Sequence, residues 1–549
     1  MTSITPTGPK ARSRRGRALG LRGLWLASVA AATLVTPAAM AQQPTTSTPD
    51  DEPVVTSPET PLPAEEGRTA EETRPGEDKQ PAVPRTRAEQ QKQLVDTRDF
   101  SITPTVGFEA AFTDNVLLTE HDRKSDFLAR ALLRLDSLLN HGRTVGRLTV
   151  EGFYDWYART NDFNGASVNA DGNASFSLVP DLLSIDADAV VTNGRTTTFG
   201  TPAIDRAGVE GRVQVAVWDI GPKLTTKLGD FADLLGMARF SQVYYWGAAS
   251  SEITTPLPQD DNIVQVVGRI DTGKRMRGYQ LLTILQFEKD EHGYQQVNAV
   301  QSVYVTVDPA VRLIGRAGYE RVEQENISTI EAPLLSAGFE FTPNDTSRIT
   351  IEGGERFNRG AWSAQAEAAF ADHLYLAGEY SEAVQPDQVF VANSFQEFVE
   401  QSMNLPLPIA PQRFQVTDNL YSQASFNKVG DLRVLLRNPR TSVELMGRYT
   451  DREFLSTHTH DRTAQTTVTL KHALRRDLNG TAEFTYSKTY ESPLYGASRT
   501  YGANATLDYH ANSTTDVTAT YAFSNGKELF TGGRTINDNT FLIALRKRF

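Results

Sequence analysis

The sequence predicts an all-β chain: a transmembrane antiparallel up-and-down β-barrel of the bacterial outer membrane, with about 18–22 strands preceded by a disordered tail. Three observations predict it. The last nine residues, Phe541-Leu542-Ile543-Ala544-Leu545-Arg546-Lys547-Arg548-Phe549, alternate. Phe541, Ile543, Leu545 and Phe549 share one face, and Arg546 and Arg548 share the other, as the two-residue period of a strand requires. The same alternation recurs from Asp99 to the end. An export signal opens the chain, yet no later apolar run is long enough for a membrane helix, and the mean hydropathy is −0.39. A polar average suits a barrel, because only alternate residues meet lipid.

Residues 1–41 read as a signal peptide. Six basic residues, Lys10 to Arg22, precede the apolar run Leu24–Val35, and Ala39-Met40-Ala41 offers small residues for cleavage between Ala41 and Gln42. Ser13-Arg14-Arg15 is explained by a basic leader without a twin-arginine route. With no cysteine in the chain, lipoprotein anchoring, disulfides and thiolate metal sites are excluded. The formal net charge is −12. Setting aside the six basic residues of 1–41 leaves 49 basic against 67 acidic residues, a net −18, which argues against nucleic acid as a partner.

Residues 42–98 are rich in Pro, Glu, Thr and Asp and too poor in apolar side chains to offset the entropy of ordering, so a disordered periplasmic tail is expected. Asp51-Glu52-Pro53-Val54-Val55-Thr56 weakly resembles an energy-coupling box of TonB-dependent transporters. Such transporters carry a plug of more than a hundred residues before the barrel, and fewer than fifty separate this stretch from Asp99.

Residues 99–549 form the barrel domain. Phe100, Ile102, Val106, Phe108, Ala110 and Phe112 share one phase. Leu148, Val150, Gly152, Tyr154 and Trp156 share another, opposite Arg147, Thr149, Glu151 and Asp155. Ala207, Val209, Gly211, Val213, Val215 and Val217 alternate with Arg206, Glu210, Arg212 and Gln214. Similar runs lie at Val297–Val307, Val311–Tyr319, Ala482–Tyr486, Tyr501–Tyr509 and Val517–Phe523. A helical period would scramble these faces. Short turns at Pro180-Asp181, Asp308-Pro309, Pro343-Asn344-Asp345, Asp477–Gly480 and Asn512-Ser513-Thr514 alternate with longer polar stretches at about 192–204, 248–261, 384–415 and 526–537. Short turns at one end and long loops at the other are the arrangement of an outer-membrane barrel. The strand number should be even, with Phe100–Phe112 closing against Phe541–Phe549. Tyr154, Trp156, Trp218, Tyr244, Trp246, Tyr449, Tyr486, Tyr490, Tyr501, Tyr509 and Tyr521 fall in or at the ends of runs, as interfacial girdles require.

No catalytic, cofactor-binding or metal-binding residues are assigned, and no enzyme is expected. The eight histidines are scattered. His458 and His460 could share a strand face, but Ser456–Asp461 reads as an exposed loop. No Gly-rich phosphate loop precedes a helix. The candidate site is the lumen, lined by Arg147, Glu151, Asp155, Arg206, Glu210, Arg212, Arg312, Arg316, Arg546 and Arg548. Salt-bridging within the wall would rigidify it, and the same charges could select a solute. Phe153, Tyr157 and Tyr304 share the polar phase, where their rings could stack on sugars or plug the pore.

Phe112-Thr113-Asp114-Asn115-Val116, followed by Lys124-Ser125-Asp126-Phe127 and by a strand pair around Gly142-Arg143 and Tyr154, resembles the outer-membrane β-barrel porins associated with exopolysaccharide and PEP-CTERM (exosortase) systems. The resemblance runs loosely over 99–549 and includes the terminal Phe, which itself resembles the signal read by the barrel-assembly machinery. It implies an outer-membrane barrel linked with surface-polysaccharide export, with polysaccharide and periplasmic export components as partners, and no cofactor. The expected function is passage or export of exopolysaccharide or another polar solute by a monomer set in outer-membrane lipid. A general nutrient diffusion porin and a structural anchor with a closed lumen are the alternatives.

Overall fold

Period-two alternation becomes twenty-two strands in the computed structural model. It describes residues 99–195, 212–246, 260–273, 276, 278–325, 327–344, 346–370, 373–386, 389, 424–493, 496–529 and 533–549. The first strands are β1 (Phe100–Thr113), β2 (Asp126–His141), β3 (Thr144–Tyr157), β4 (Gly165–Val179), β5 (Leu183–Arg195), β6 (Arg212–Leu228), β7 (Ala232–Trp246) and β8 (Asp261–Asp271). There follow β9 (Tyr279–Lys289), β10 (Gln295–Asp308), β11 (Val311–Glu323), β12 (Ile330–Asn344), β13 (Ser347–Arg356), β14 (Arg359–Phe370) and β15 (Leu374–Gln385). The last are β16 (Ser425–Arg437), β17 (Thr441–Phe454), β18 (His460–Arg475), β19 (Leu478–Glu491), β20 (Ser498–Asn512), β21 (Thr515–Glu528) and β22 (Thr535–Arg548).

Each strand pairs antiparallel with its neighbours in the chain, and β1 pairs with both β2 and β22. The sheet therefore has no edge, which removes the row of unpaired backbone groups that lipid could not satisfy. The closing register sets Phe112 opposite Phe541, Ala110 opposite Ile543 and Phe108 opposite Leu545. At the C-terminus the Phe549 amide donates to the Pro104 carbonyl at 2.9 Å. Among the described residues no helix is long and apolar enough to cross a membrane. The strands cross instead: the shortest, β13, has 10 residues and the longest, β6, has 17, against the roughly 9–11 that a tilted strand needs.

The outer surface explains the alternation. Phe108, Leu133, Leu148, Tyr154, Trp362, Leu507, Tyr521 and Ile543 are all about half exposed. An apolar band of this extent on a soluble monomer would aggregate, whereas lipid covers it. Tyr154, Trp156, Tyr244, Trp246 and Tyr490 ring one end of the band, and Phe176, Tyr279, Phe370 and Tyr509 ring the other. This is a membrane-spanning barrel of the outer-membrane type.

The start of β1 at Phe100 and the last residue, Phe549, lie at one end of the barrel, with the short connections such as Pro180-Asp181-Leu182 and Pro309-Ala310. Asp181 takes φ 59° in its turn. The long connections gather at the opposite end, called here the loop end. An ideal Cβ on Gly338 of β12 would come within 2.1 Å of the Ile351 carbonyl oxygen and 2.7 Å of Glu352 Cγ, so only glycine fits there.

Candidate functional site

The inward phase of the wall is polar, and most of its described charges meet partners. On β3, Arg147, Thr149, Glu151 and Asp155 face inward with Phe153 and Tyr157. Asp155 receives a bidentate pair from Arg130 of β2, with Nη2 to Oδ2 at 2.6 Å, and both side chains are under 5% exposed. Arg130 stands opposite Glu109 of β1, and Glu109 accepts from Arg546 of β22 at 2.9 Å. The sequence Arg546, Glu109, Arg130, Asp155 is thus a row of alternating charge laid across β22, β1, β2 and β3, on the inside of the closing seam. Charge-assisted bonds of this kind tie the first and last strands together where no covalent turn joins them.

A second group lies on β11–β13. Arg312 pairs with Glu340 at 2.5 Å, Arg316 with Glu352 at 2.6 Å, and Arg356 with Glu320 at 2.6 Å. The last two pairs bridge β11 to β13 over β12, and the bare Cα of Gly338 lies beneath the first of them. Arg548 occupies the inward phase at the rim beside the C-terminus and is exposed.

Around β6 the wall carries apolar inward residues beside the charged ones expected there. In the loop-end half of β6 the inward residues are Val213, Val215 and Val217, each 2% exposed or less, followed in the same phase by Asp219. The opposite phase carries the outward Trp218 and Ile220, and the side chain of Arg212, at the start of the strand, lies outside what the structure describes. Alternation defines two faces without saying which one meets lipid, and here the inside of the loop end is apolar. Arg206 and Glu210 lie outside the described residues, as do Ala41 and Gln42. Nor are the inward rings free to stack on a sugar. The Arg130 guanidinium sits 3.8 Å over the Phe153 ring, Arg312 sits 5.3 Å over Tyr304, and Tyr157 is fully buried.

The mouth at the loop end is narrowed from two sides. On the seam side, Val116 of the β1–β2 connection packs against the inward Ala111, Leu128, Tyr157, Leu542 and Ala544, with Leu117 beside it. Leu118, at φ 52°, packs on Ile536. Val116 and Leu118 are both essentially unexposed. The Thr-Asp-Asn stretch holds this loop in place. Thr113 Oγ1 donates to Asp538 Oδ1 at 2.6 Å, and Asp114 receives the Asn539 backbone N–H and side-chain amide, both at 2.8 Å. Asn115 donates to the carbonyls of Thr119 and Asn537, both at 2.8 Å, and accepts from the Thr119 N–H at 3.0 Å. These residues staple β1 to β22 and fold the loop into the lumen.

On the far side, Val213, Val215, Val217, Val243, Tyr245, Ile263, Tyr294 and Val322 form one apolar cluster with Val384, Val389 and Ala424. Tyr294 Oη lies 3.1 Å from the Val384 carbonyl oxygen. Its residue precedes β10, and Val384 is the penultimate residue of β15, five strands away. Five strand spacings are about 24 Å along a sheet, so the contact cuts across the lumen and the loop end of β15 leans inward. Val389 and Ala424, which flank a connection otherwise outside the described residues, are both fully buried in this cluster. The β15–β16 connection, within which the expected loop at 384–415 falls, therefore has Val389 and Ala424 seated in the mouth.

His458 and His460 do not meet on one ion. His458 is exposed at φ 55° with Nδ1 3.5 Å from Glu453 Oε1, and His460 Nδ1 is 2.9 Å from Asp451 Oδ1. A different group converges at the rim: Asp261, Glu291 and His292. No local motif announces it, because its members sit on two hairpins. Beside it, burial and the Asp261 charge push the Asp290 carboxyl, in the β9–β10 turn, up to about 6.

No family model matches the sequence, and no curated protein matches it. Solved structures similar in outline include the FrpB iron transporter from Neisseria meningitidis, at 10% identity and a TM-score of 0.47, with 84% of this chain and 83% of that chain covered. The siderophore receptor PiuA from Acinetobacter baumannii has 11% identity and a TM-score of 0.47, covering 83% and 82%. The ferric-catecholate import receptor Fiu from E. coli K12 has 10% identity and a TM-score of 0.46, covering 81% of each chain. The closed barrel rests on its own strand pairing, and these likenesses add nothing about what the chain carries.

Proposed function

We propose that this chain is a porin-like outer-membrane barrel of a Gram-negative bacterium that assists passage or export of an exopolysaccharide or another polar solute. The observation behind the reading is the polar, charge-paired inward wall inside an apolar-coated closed sheet. Such a wall keeps water in the lumen and offers an extended polar chain hydrogen bonds without a single strong trap. Energy would come from elsewhere, through periplasmic export components. In this reading residues 1–41 are removed on export, and residues 42–98 extend from the barrel's terminus end into the periplasm. The barrel works as a monomer. A second reading, a structural barrel with a closed lumen, is favoured by the apolar packing at the loop-end mouth.

Planar-bilayer recording of the purified barrel tests the two. Stable conductance supports passage, and its absence across voltages and salts supports the closed barrel. Deleting the gene and weighing secreted polysaccharide then separates export from general nutrient diffusion, because unchanged polysaccharide argues against export.

Assembly belongs to the same proposal. Phe541, Ile543, Leu545 and Phe549 form the outward face of the closing strand and would be read by the barrel-assembly machinery. Deleting Phe549 should lower the amount of heat-modifiable barrel in the outer membrane several-fold, before any defect in transport per molecule. Normal levels of the truncated protein would remove the assembly role.

A further inference from the structure

Asp261 opens β8, and Glu291 and His292 lie in the turn between β9 and β10. Antiparallel pairing of β8 with β9 sets Val264 opposite Lys289, so the start of one strand lies beside the end of the other. Residues 30 and 31 positions apart thereby meet at the loop-end rim. One ligand atom from each of the three lies within 4.8 Å of the other two.

The Asp261 side chain is 1% exposed. Its Oδ1 lies 3.2 Å from His292 Nδ1 and accepts the Glu291 backbone N–H at 3.3 Å. Its Oδ2 is buried with no hydrogen-bond partner. A buried carboxylate oxygen left so costs free energy that a neighbouring imidazole on the other oxygen does not recover. An ion pair alone would explain Oδ1 and leave Oδ2 unaccounted for. A cation held among the three residues would satisfy it. Asn262 Nδ2 donates to Glu291 Oε2 at 2.5 Å and orients that carboxylate, the kind of outer support that metal ligands have.

We propose that Asp261, Glu291 and His292 bind one divalent transition-metal ion of the Zn2+ class, clamping the root of the β7–β8 connection to the β9–β10 turn. The donor set decides the class. One imidazole nitrogen with two carboxylates suits Zn2+ and its neighbours, whereas Ca2+ and Mg2+ favour oxygen alone. Three protein ligands leave a fourth tetrahedral position for water. Glu291 is exposed and His292 partly so, which gives the ion a path in from solvent. The site is independent of what the lumen carries.

The test is calorimetric titration of the full-length, detergent-solubilised barrel with ZnCl2 after dialysis against a chelator. One equivalent should bind. Asp261→Asn and His292→Ala should each weaken binding by about tenfold or more, as loss of a ligand requires, and His458→Ala, exposed on another loop, should not. Heat-shifted mobility on SDS gels checks that each variant remains folded. Should Asp261→Asn fail that check, Glu291→Gln in the exposed turn replaces it. No Zn2+ uptake by the wild-type barrel at concentrations on the order of 100 µM, unchanged affinity in the folded variants, or tighter binding of Ca2+ than of Zn2+ would each overturn the assignment.

Discussion

Arg130→Ala should destabilise the barrel by about 3–5 kcal/mol, the cost of removing one partner from a buried ion pair. Arg130 and Asp155 are 3% and 4% exposed, so neither charge is relaxed by bulk water. The substitution takes two charge-assisted bonds from Asp155, removes the positive charge opposite Glu109, and uncovers the Phe153 ring. It also breaks the alternating row at its middle, so Arg546 alone balances the acids across the seam. The control is Arg134→Ala. Its pair with Asp136 has side chains 22% and 33% exposed, and a pair open to water is worth about 1 kcal/mol or less. Urea-dependent unfolding of the refolded barrel should show a large midpoint shift for Arg130→Ala and a small one for Arg134→Ala. The double replacement Arg130→Met with Asp155→Leu should recover most of the loss, because removing both charges leaves no uncompensated one. Equal shifts for the two single variants would show that the seam row does not hold the barrel closed.

The strand skeleton was readable because lipid imposes a strict rule. Every second residue must be apolar, and that rule survives in runs such as Phe100–Phe112 and Phe541–Phe549, whose pairing follows from the absence of an edge. The expected 18–22 strands include the observed twenty-two, and the short turns at Pro180-Asp181, Asp308-Pro309 and Asn512–Thr514 fall where hairpins reverse. Two features were not readable. The inward phase of β6 is apolar toward the loop end, so Val213, Val215 and Val217 look like a lipid face although they build the mouth. The Asp261–His292 group is created by the pairing of β8 with β9, and no residue spacing along the chain reveals it. The Thr113-Asp114-Asn115 stretch falls between these cases. It stands out as a motif, and its hydrogen bonds to Asn537, Asp538 and Asn539 give it a structural task at the seam.

The larger functional effect is expected at the mouth. Replacing Val116 and Leu118 together by Asp should widen the path through the barrel and raise its single-channel conductance several-fold. Both side chains are buried against the inner wall, and each contributes about 1.5–3 kcal/mol by leaving water. Losing both is therefore comparable to the roughly 5.5 kcal/mol that moves a two-state equilibrium from 1:99 to 99:1. Leu118 also gives up an αL conformation that costs about 1–2 kcal/mol for a residue with a side chain. The two introduced carboxylates would have to enter apolar pockets lined by Ala111, Leu128, Leu542 and Ile536, so water is favoured over the packed position. The loop lies outside the strand ladder, so the double variant should retain heat-modifiable mobility and near-normal unfolding, which separates an open mouth from a broken barrel. Asn115→Ala, which removes the hydrogen bonds that hold the loop without adding charge, should move conductance in the same direction by a smaller step. If both variants fold and conduct as the wild type does, the inserted loop does not set the width of the path, and the far-side cluster around Tyr294 and Val384 becomes the constriction to mutate.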